Sequence, residues 1–242
     1  MFKALQNSLL SVLYPQDCRV CSRQVERLEE GVACSDCWDS TCFFSGHEML
    51  CGRCGALLGA LSAPDPVFCR KCDDHFYRRA VAAGVYEKAL AASIIHLKSS
   101  PVIPTNLKAA ISNALARLDT SGVELIIPIP LSKKRLIERG FNQAETIAVE
   151  IGRQTGIAVD SCSLVRKVHT PIHRIGMDQK ARELTVKNAF EIARPKLIAA
   201  KNILLVDDVL TSGSTASYCA KALKKSGAGC VDVFTLARAV MK

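Results

Sequence analysis

Ile203-Leu204-Leu205-Val206-Asp207-Asp208-Val209-Leu210-Thr211-Ser212-Gly213-Ser214-Thr215 sets a short apolar run before two carboxylates and a hydroxyl-rich turn. Ile203 to Val206 lacks the alternation of a half-exposed strand, as expected of a strand buried on both faces of a parallel sheet. Asp207 and Asp208 follow at its carboxyl end, where open α/β sheets hold their ligands. Carboxylates placed there can accept hydrogen bonds from the 2- and 3-hydroxyls of a ribose. Thr211, Ser212, Gly213, Ser214 and Thr215 then offer backbone N–H groups, hydroxyls and a flexible glycine at a helix N-terminus, which suits a 5-phosphate. The turn has neither the Gly-Lys-Ser/Thr of a P-loop nor the G-x-G-x-x-G of a dinucleotide site. An ordinary acidic loop after a strand is the plain alternative.

A second informative stretch lies upstream. Pro128-Ile129-Pro130-Leu131-Ser132-Lys133-Lys134-Arg135 is followed by Arg139-Gly140-Phe141-Asn142-Gln143. Pro130 stops a buried strand expected over 123–129. Ser132 and Lys133 can then bring backbone and ammonium groups to a pyrophosphate, with Arg139 approaching from the side. A basic surface loop with a helix N-cap at Asn142 would read the same way.

Around these stretches, strands alternate with helices, which argues for an α/β fold on a parallel sheet. Strands are expected over Ala80 to Tyr86, Ser163 to Val168 and Cys230 to Ala237. Helices are expected over Glu87 to Lys98, Asn106 to Leu118, Gln143 to Arg153 and Ser214 to Lys225, with a helix or helical loop over Asp178 to Lys187. Asp73, Asp74, His75, Arg78 and Arg79 lie in an expected connector to what precedes.

What precedes is cysteine-rich. Nine of the 12 cysteines come before residue 73, eight of them as Cys18/Cys21, Cys34/Cys37, Cys51/Cys54 and Cys69/Cys72. Each Cys-x-x-Cys turn presents two thiolates to one metal ion, and two turns complete a tetrahedron. Sets of four sulfurs leave no open coordination position, so two structural zinc ions are expected, with Cys18, Cys21, Cys34 and Cys37 on one and Cys51, Cys54, Cys69 and Cys72 on the other. A disulfide framework and an iron–sulfur cluster are the competing readings. Cys42 and His47 are spare candidates, Cys42 reading rather as a small buried residue beside Phe43 and Phe44. Cys162, Cys219 and Cys230 read as core. With few large apolar residues, this head is not expected to fold without metal.

The 242 residues suffice for one substantial core and a small module. No apolar run approaches the length of a membrane span. Leu5, Leu9, Leu10, Val12 and Leu13 are interrupted by polar residues and followed by no small-residue cleavage site, so residues 1–14 read as a docking helix and the protein as cytoplasmic. The net charge of +9 is uneven: residues 1–79 carry −1, residues 80–160 carry +2 and residues 161–242 carry +8. A polyanionic small molecule, a nucleic acid or a merely solvated basic face each accounts for that excess.

The stretch from Ile203 to Thr215 resembles the phosphoribosyl pyrophosphate (PRPP) signature of type I phosphoribosyltransferases. Joined to the four cysteine pairs, the Pro-Ile-Pro-Leu-Ser-Lys-Lys-Arg and Arg-Gly-Phe-Asn-Gln stretches and the opening Leu9-Leu10-Ser11-Val12-Leu13-Tyr14-Pro15-Gln16-Asp17-Cys18, it resembles the ComF (ComFC) competence family over essentially the whole chain. The resemblance implies a double zinc ribbon with its docking helix over 1–76 and a type I phosphoribosyltransferase-like domain over 80–242. It further implies PRPP with Mg2+ as ligand, a part in natural transformation, and binding of single-stranded DNA. An active phosphoribosyltransferase with an unidentified base or nucleotide acceptor is the alternative. So is a scaffold docking a competence helicase or other DNA-processing partner. Asp207 and Asp208 would take the ribose hydroxyls, Thr211 to Thr215 the 5-phosphate, and Ser132, Lys133 and Arg139 the pyrophosphate. His96, His169 and His173 are candidate bases. The chain departs from the family between Thr170 and Phe190. His173 stands where Gln is usual and Thr185 where Asn is usual, while Arg182, Ala189 and Phe190 fit, so the hood over an acceptor is atypical.

Overall fold

A computed structural model describes residues 15–59, 66–70, 72, 74–167 and 189–240. The expected opening helix, Asp73, the helix over Asp178 to Lys187, and His169, Thr170, His173, Arg182 and Thr185 lie outside the described residues. The cysteine-rich head holds α1 (Ser35–Asp39) and the antiparallel pair β1 (Met49–Leu50) and β2 (Leu57–Gly59).

From residue 80 the chain runs β3 (Ala80–Val85), α2 (Lys88–His96), α3 (Thr105–Ala116), β4 (Leu125–Pro128), α4 (Lys133–Arg139) and α5 (Gln143–Thr155). β5 (Leu164–Arg166), β6 (Phe190–Ile192), α6 (Pro195–Ile198), β7 (Ile203–Leu210), α7 (Ser214–Lys225) and β8 (Val231–Arg238) follow. The sheet order is β3-β8-β7-β4 with every pairing parallel, which is the α/β parallel-sheet fold expected from the alternation. β5 departs from that expectation: it pairs antiparallel with β6 in a separate ladder. α4 stands where the sequence suggests a basic loop, because seven residues with no buried face leave no helical periodicity to detect.

The central strand explains the two-sided burial. Leu204 and Val206 face a core built with Leu90, Ile94, Leu107, Ile111, Ile147 and Ile151 from α2, α3 and α5. Ile203 and Leu205 face the opposite core, with Ile198 of α6 and Cys219, Ala220 and Leu223 of α7. Cys18, Cys34, Cys37 and Trp38 join the first of these cores, so the head is welded to one face of the sheet.

The head also covers an edge. Phe44 N–H donates to Ala83 O at 2.9 Å and Val85 N–H to Cys42 O at 2.9 Å, which pairs the free side of β3. Gly84 permits this approach, since a Cβ there would meet Cys42 O at 2.4 Å. Cys42 is accordingly exposed and works through its backbone, contrary to its reading as a small buried residue; Cys162 is exposed too, while Cys219 is buried as expected. Between head and sheet, Arg78 donates from Nε and Nη2 to the Asp232 carboxylate at 2.9 and 2.7 Å. Arg79 Nε adds a third bond at 3.2 Å. The connector is thereby packed against β8.

Candidate functional site

β7 runs four residues beyond the apolar stretch, so the acid pair lies inside the strand, with Asp207 in register with Thr235 of β8. Neighbouring strand residues point to opposite faces, and the two acids have different company. Asp208 Oδ2 lies 3.8 Å from Lys98 Nζ and accepts from Gln143 Nε2 at 3.4 Å. Gln143 Oε1 in turn accepts from Arg139 Nη1 at 2.9 Å. Arg139 is therefore brought to the acid pair through Gln143, at the first turn of α5, whose N-cap is Asn142 as expected. Asp207 faces the side of α7 and β5, within electrostatic reach of Arg166 and Cys219. Burial, reinforced by the charge of Asp208, pushes the Asp207 carboxyl well above the ordinary carboxylate range.

Cations crowd this strand end. Arg166 lies 5.4 Å from the centroid of the Phe190 ring. Arg135 is pushed down by burial and then by the charges of Arg166 and Arg139. Several guanidinium groups within electrostatic reach of one another favour an anion between them. Lys98 and Arg166 carry no sequence signal of their own: each is one basic residue at the end of an apolar element. Ser132 is buried and its Oγ caps α4, accepting from Arg135 N–H at 3.4 Å, while Lys133 is exposed on the first turn. His96 lies away from the acids, in a cleft shared with Gln16, Asp17 and Arg19 of the head.

The hydroxyl turn opens α7 where expected. Gly213 adopts φ +80°, in the left-handed region, and a Cβ on it would stand 2.7 Å from Tyr77 Oη and 3.0 Å from His75 Nε2. Glycine is thus required both by conformation and by space. Ser212 Oγ and Ser214 Oγ are 3.0 Å apart, and Thr211 and Ser212 are exposed. Behind the turn, buried Arg238 donates from Nη1 to Leu210 O at 2.7 Å and to Thr211 O.

The eight paired cysteines gather as sequential pairing requires: Cys18, Cys21, Cys34 and Cys37 in one group, Cys51, Cys54, Cys69 and Cys72 in the other, each set of sulfurs lying within 4.8 Å of one another. Four thiolates about 2.3 Å from one ion, at tetrahedral angles, stand about 3.8 Å apart. The Cys18–Cys37 and Cys21–Cys34 separations are 3.7 and 3.6 Å, and Cys51–Cys72 and Cys54–Cys69 are 3.4 and 3.5 Å. Backbone N–H groups of Val20 and Cys69 donate to the sulfurs of Cys18 and Cys51 at 3.4 and 3.3 Å. Such donors stabilise thiolates. Burial raises the Cys51 thiol, but the N–H groups of Cys54, Cys69 and Arg53 outweigh it and hold it at about 6. The residues fit structural zinc, with no position left for a substrate.

No protein-family model matches the chain. It is 30% identical over 234 residues to the DNA utilization protein YhgH of Shigella flexneri, covering 91% of this chain and 89% of that one. It is 38% identical over 117 residues to competence protein F of Haemophilus influenzae, covering 48% of this chain and 51% of the relative. It is 33% identical over 119 residues to competence protein ComFC of Bacillus subtilis, covering 47% and 44%. A solved structure of glutamine PRPP amidotransferase from B. subtilis superposes with a TM-score of 0.36 at 19% identity, over 53% of this chain and 26% of that one.

Proposed function

The chain belongs to the ComF (ComFC) family, and we propose that it is a phosphoribosyltransferase-like protein of competence that binds PRPP at the carboxyl end of β7. The observation that carries this reading is the junction of two devices on one strand: the acid pair with Lys98 and Gln143 on Asp208, and the Gly213 turn three residues beyond Leu210. Thr211 to Thr215 hold the 5-phosphate, Asp207 and Asp208 the ribose hydroxyls, and Lys98, Lys133 and Arg139 the pyrophosphate. When bound, Mg2+ supplies charge neutralisation to the pyrophosphate, and the hard carboxylate oxygens of the acid pair suit it. The protein acts in the cytoplasm.

Titrating PRPP with Mg2+ into the zinc-loaded protein by calorimetry tests this. Saturable binding to wild type, weakened at least tenfold in Asp208→Asn, is expected. A folded, zinc-loaded wild type that gives no saturable heat change would refute the reading. If transfer occurs, it needs no covalent nucleophile: the cations around Asp208 stabilise the departing pyrophosphate and the carboxylates stabilise positive charge developing at the anomeric carbon.

Single-stranded DNA is the proposed macromolecular partner, favoured by the +8 carried by residues 161–242. Exposed Phe76, under Lys221 at 4.4 Å from its ring centroid, offers a base-stacking face beside α7. Affinity for a thymidine oligomer should fall linearly with salt on a log–log plot, the slope counting phosphate contacts. No DNA binding by the isolated chain would favour a scaffold that docks a DNA-processing partner.

A further inference from the structure

We propose that the second four-cysteine group, once metal-loaded, forms the rear support of the phosphate turn, with Arg238 as the positioning residue that joins them. Metal at Cys51, Cys54, Cys69 and Cys72 and phosphate at residues 211–215 then strengthen each other's binding. This rests on the phosphate site proposed above.

Two contact routes run from the cysteines to the turn. Arg238, only 5% exposed at the end of β8, donates from Nη1 to the carbonyls of Leu210 and Thr211. Its Nη2 reaches Cys54 Sγ at 3.9 Å. One planar guanidinium therefore spans a metal-ligand sulfur and the carbonyls of Leu210 and Thr211 that lead into the turn, contacts that the single nitrogen of an ammonium makes only in part. Four thiolates around a divalent ion leave the group net anionic, and Arg238 is a counter-charge to it. Along the second route, His75 N–H donates to Cys72 O at 3.4 Å and the His75 ring stacks on Tyr77 at 4.7 Å. Tyr77 Oη and His75 Nε2 lie against Gly213, at the 2.7 and 3.0 Å that exclude a Cβ there. Loss of the metal frees Cys54 and Cys72 to move, and with them the supports of the turn at Thr211 and at Gly213. The first four-cysteine group packs instead into the core on the α2, α3 and α5 side.

Coupling of this kind is reciprocal: a ligand that tightens the turn must tighten the metal by the same factor. Outer-shell partners of metal ligands change metal affinity by about 10- to 100-fold. The test uses the full chain with two zinc ions, ribose 5-phosphate as the probe, and an excess of a chromophoric zinc chelator. Calorimetry of the probe is run in parallel. Saturating ribose 5-phosphate is expected to slow release of one zinc about tenfold and leave the other unchanged, and Arg238→Met should abolish the difference while Arg238→Lys restores part of it. In the cadmium-113 form of wild type, one of two metal resonances should shift on adding the probe, a readout that does not depend on any variant folding. Probe binding with both zincs released at unchanged rates and neither resonance moved would overturn the coupling and leave the phosphate site standing. No probe binding to the two-zinc protein would overturn the phosphate site and this inference with it.

Discussion

Asp207 and Asp208 are adjacent in sequence and yet chemically unequal, because strand geometry turns one toward Lys98 and Gln143 and the other toward α7. Asp207 has the raised pKa, with burial as the larger cause and Asp208 as the second. Its folded value lies above the unfolded one, so the folded state binds the extra proton between the two. Stability is fully present below the ordinary aspartate range near about 4 and is lost as pH rises through the raised value. Ligand-free Asp207→Asn should therefore melt higher than wild type at pH 7, with the gap closing toward pH 4, while PRPP binding is lost. Equal melting temperatures across that range would count against it. At Gly213 the direction is opposite. Gly213→Ala places a Cβ against Tyr77 Oη and forces a left-handed residue, costing about 1–2 kcal/mol from conformation alone. Denaturant unfolding reads the stability, and PRPP titration should show weakened binding in the same variant.

Among the elements, β3 depends on a neighbour from outside the sheet. Its free edge is closed by the backbone of Cys42 and Phe44, and only glycine at 84 allows that contact. Gly84→Ala should break both hydrogen bonds and destabilise the protein by about 2 kcal/mol. Loss of the paired edge should also promote aggregation. A urea midpoint within error of wild type would show that the edge pairing contributes little. The connector behaves as an element too. Asp232 is 2% exposed and takes three donors from Arg78 and Arg79. Asp232→Asn should loosen residues 74–80, seen as faster amide hydrogen exchange there, with the sheet interior unchanged.

For the whole molecule, metal and core are one structural question. Cys18, Cys34, Cys37 and Trp38 belong to the same buried cluster as α2, α3 and α5, so removing zinc exposes one face of the sheet and not merely a peripheral module. Metal analysis should return two zinc equivalents per chain. Chelation should lower the melting temperature and expose apolar surface to a hydrophobic dye; one equivalent, or an unchanged melt, would contradict that assignment. Much of this was legible in the residues. The unbroken apolar run at Ile203 announced a central parallel strand, the turn at Gly213 announced the start of α7, and four Cys-x-x-Cys pairs announced two metal groups in sequential pairing. These are local signals, carried by spacing and by period. Lys98, Arg166 and Arg238 were not legible, since each is a single basic residue whose role comes from what the fold brings against it. Nor could the sequence tell that Ser132 would spend its hydroxyl capping a helix, or that β5 would leave the sheet. Sequence alone determined the central strand, the helices that flank it, and the places of the metal ligands and of a candidate phosphate turn along the chain. Only the tertiary structure decided which charges meet across it, because the contacts Lys98–Asp208 and Arg238–Cys54 join residues 110 and 184 positions apart, a separation over which no periodic pattern survives.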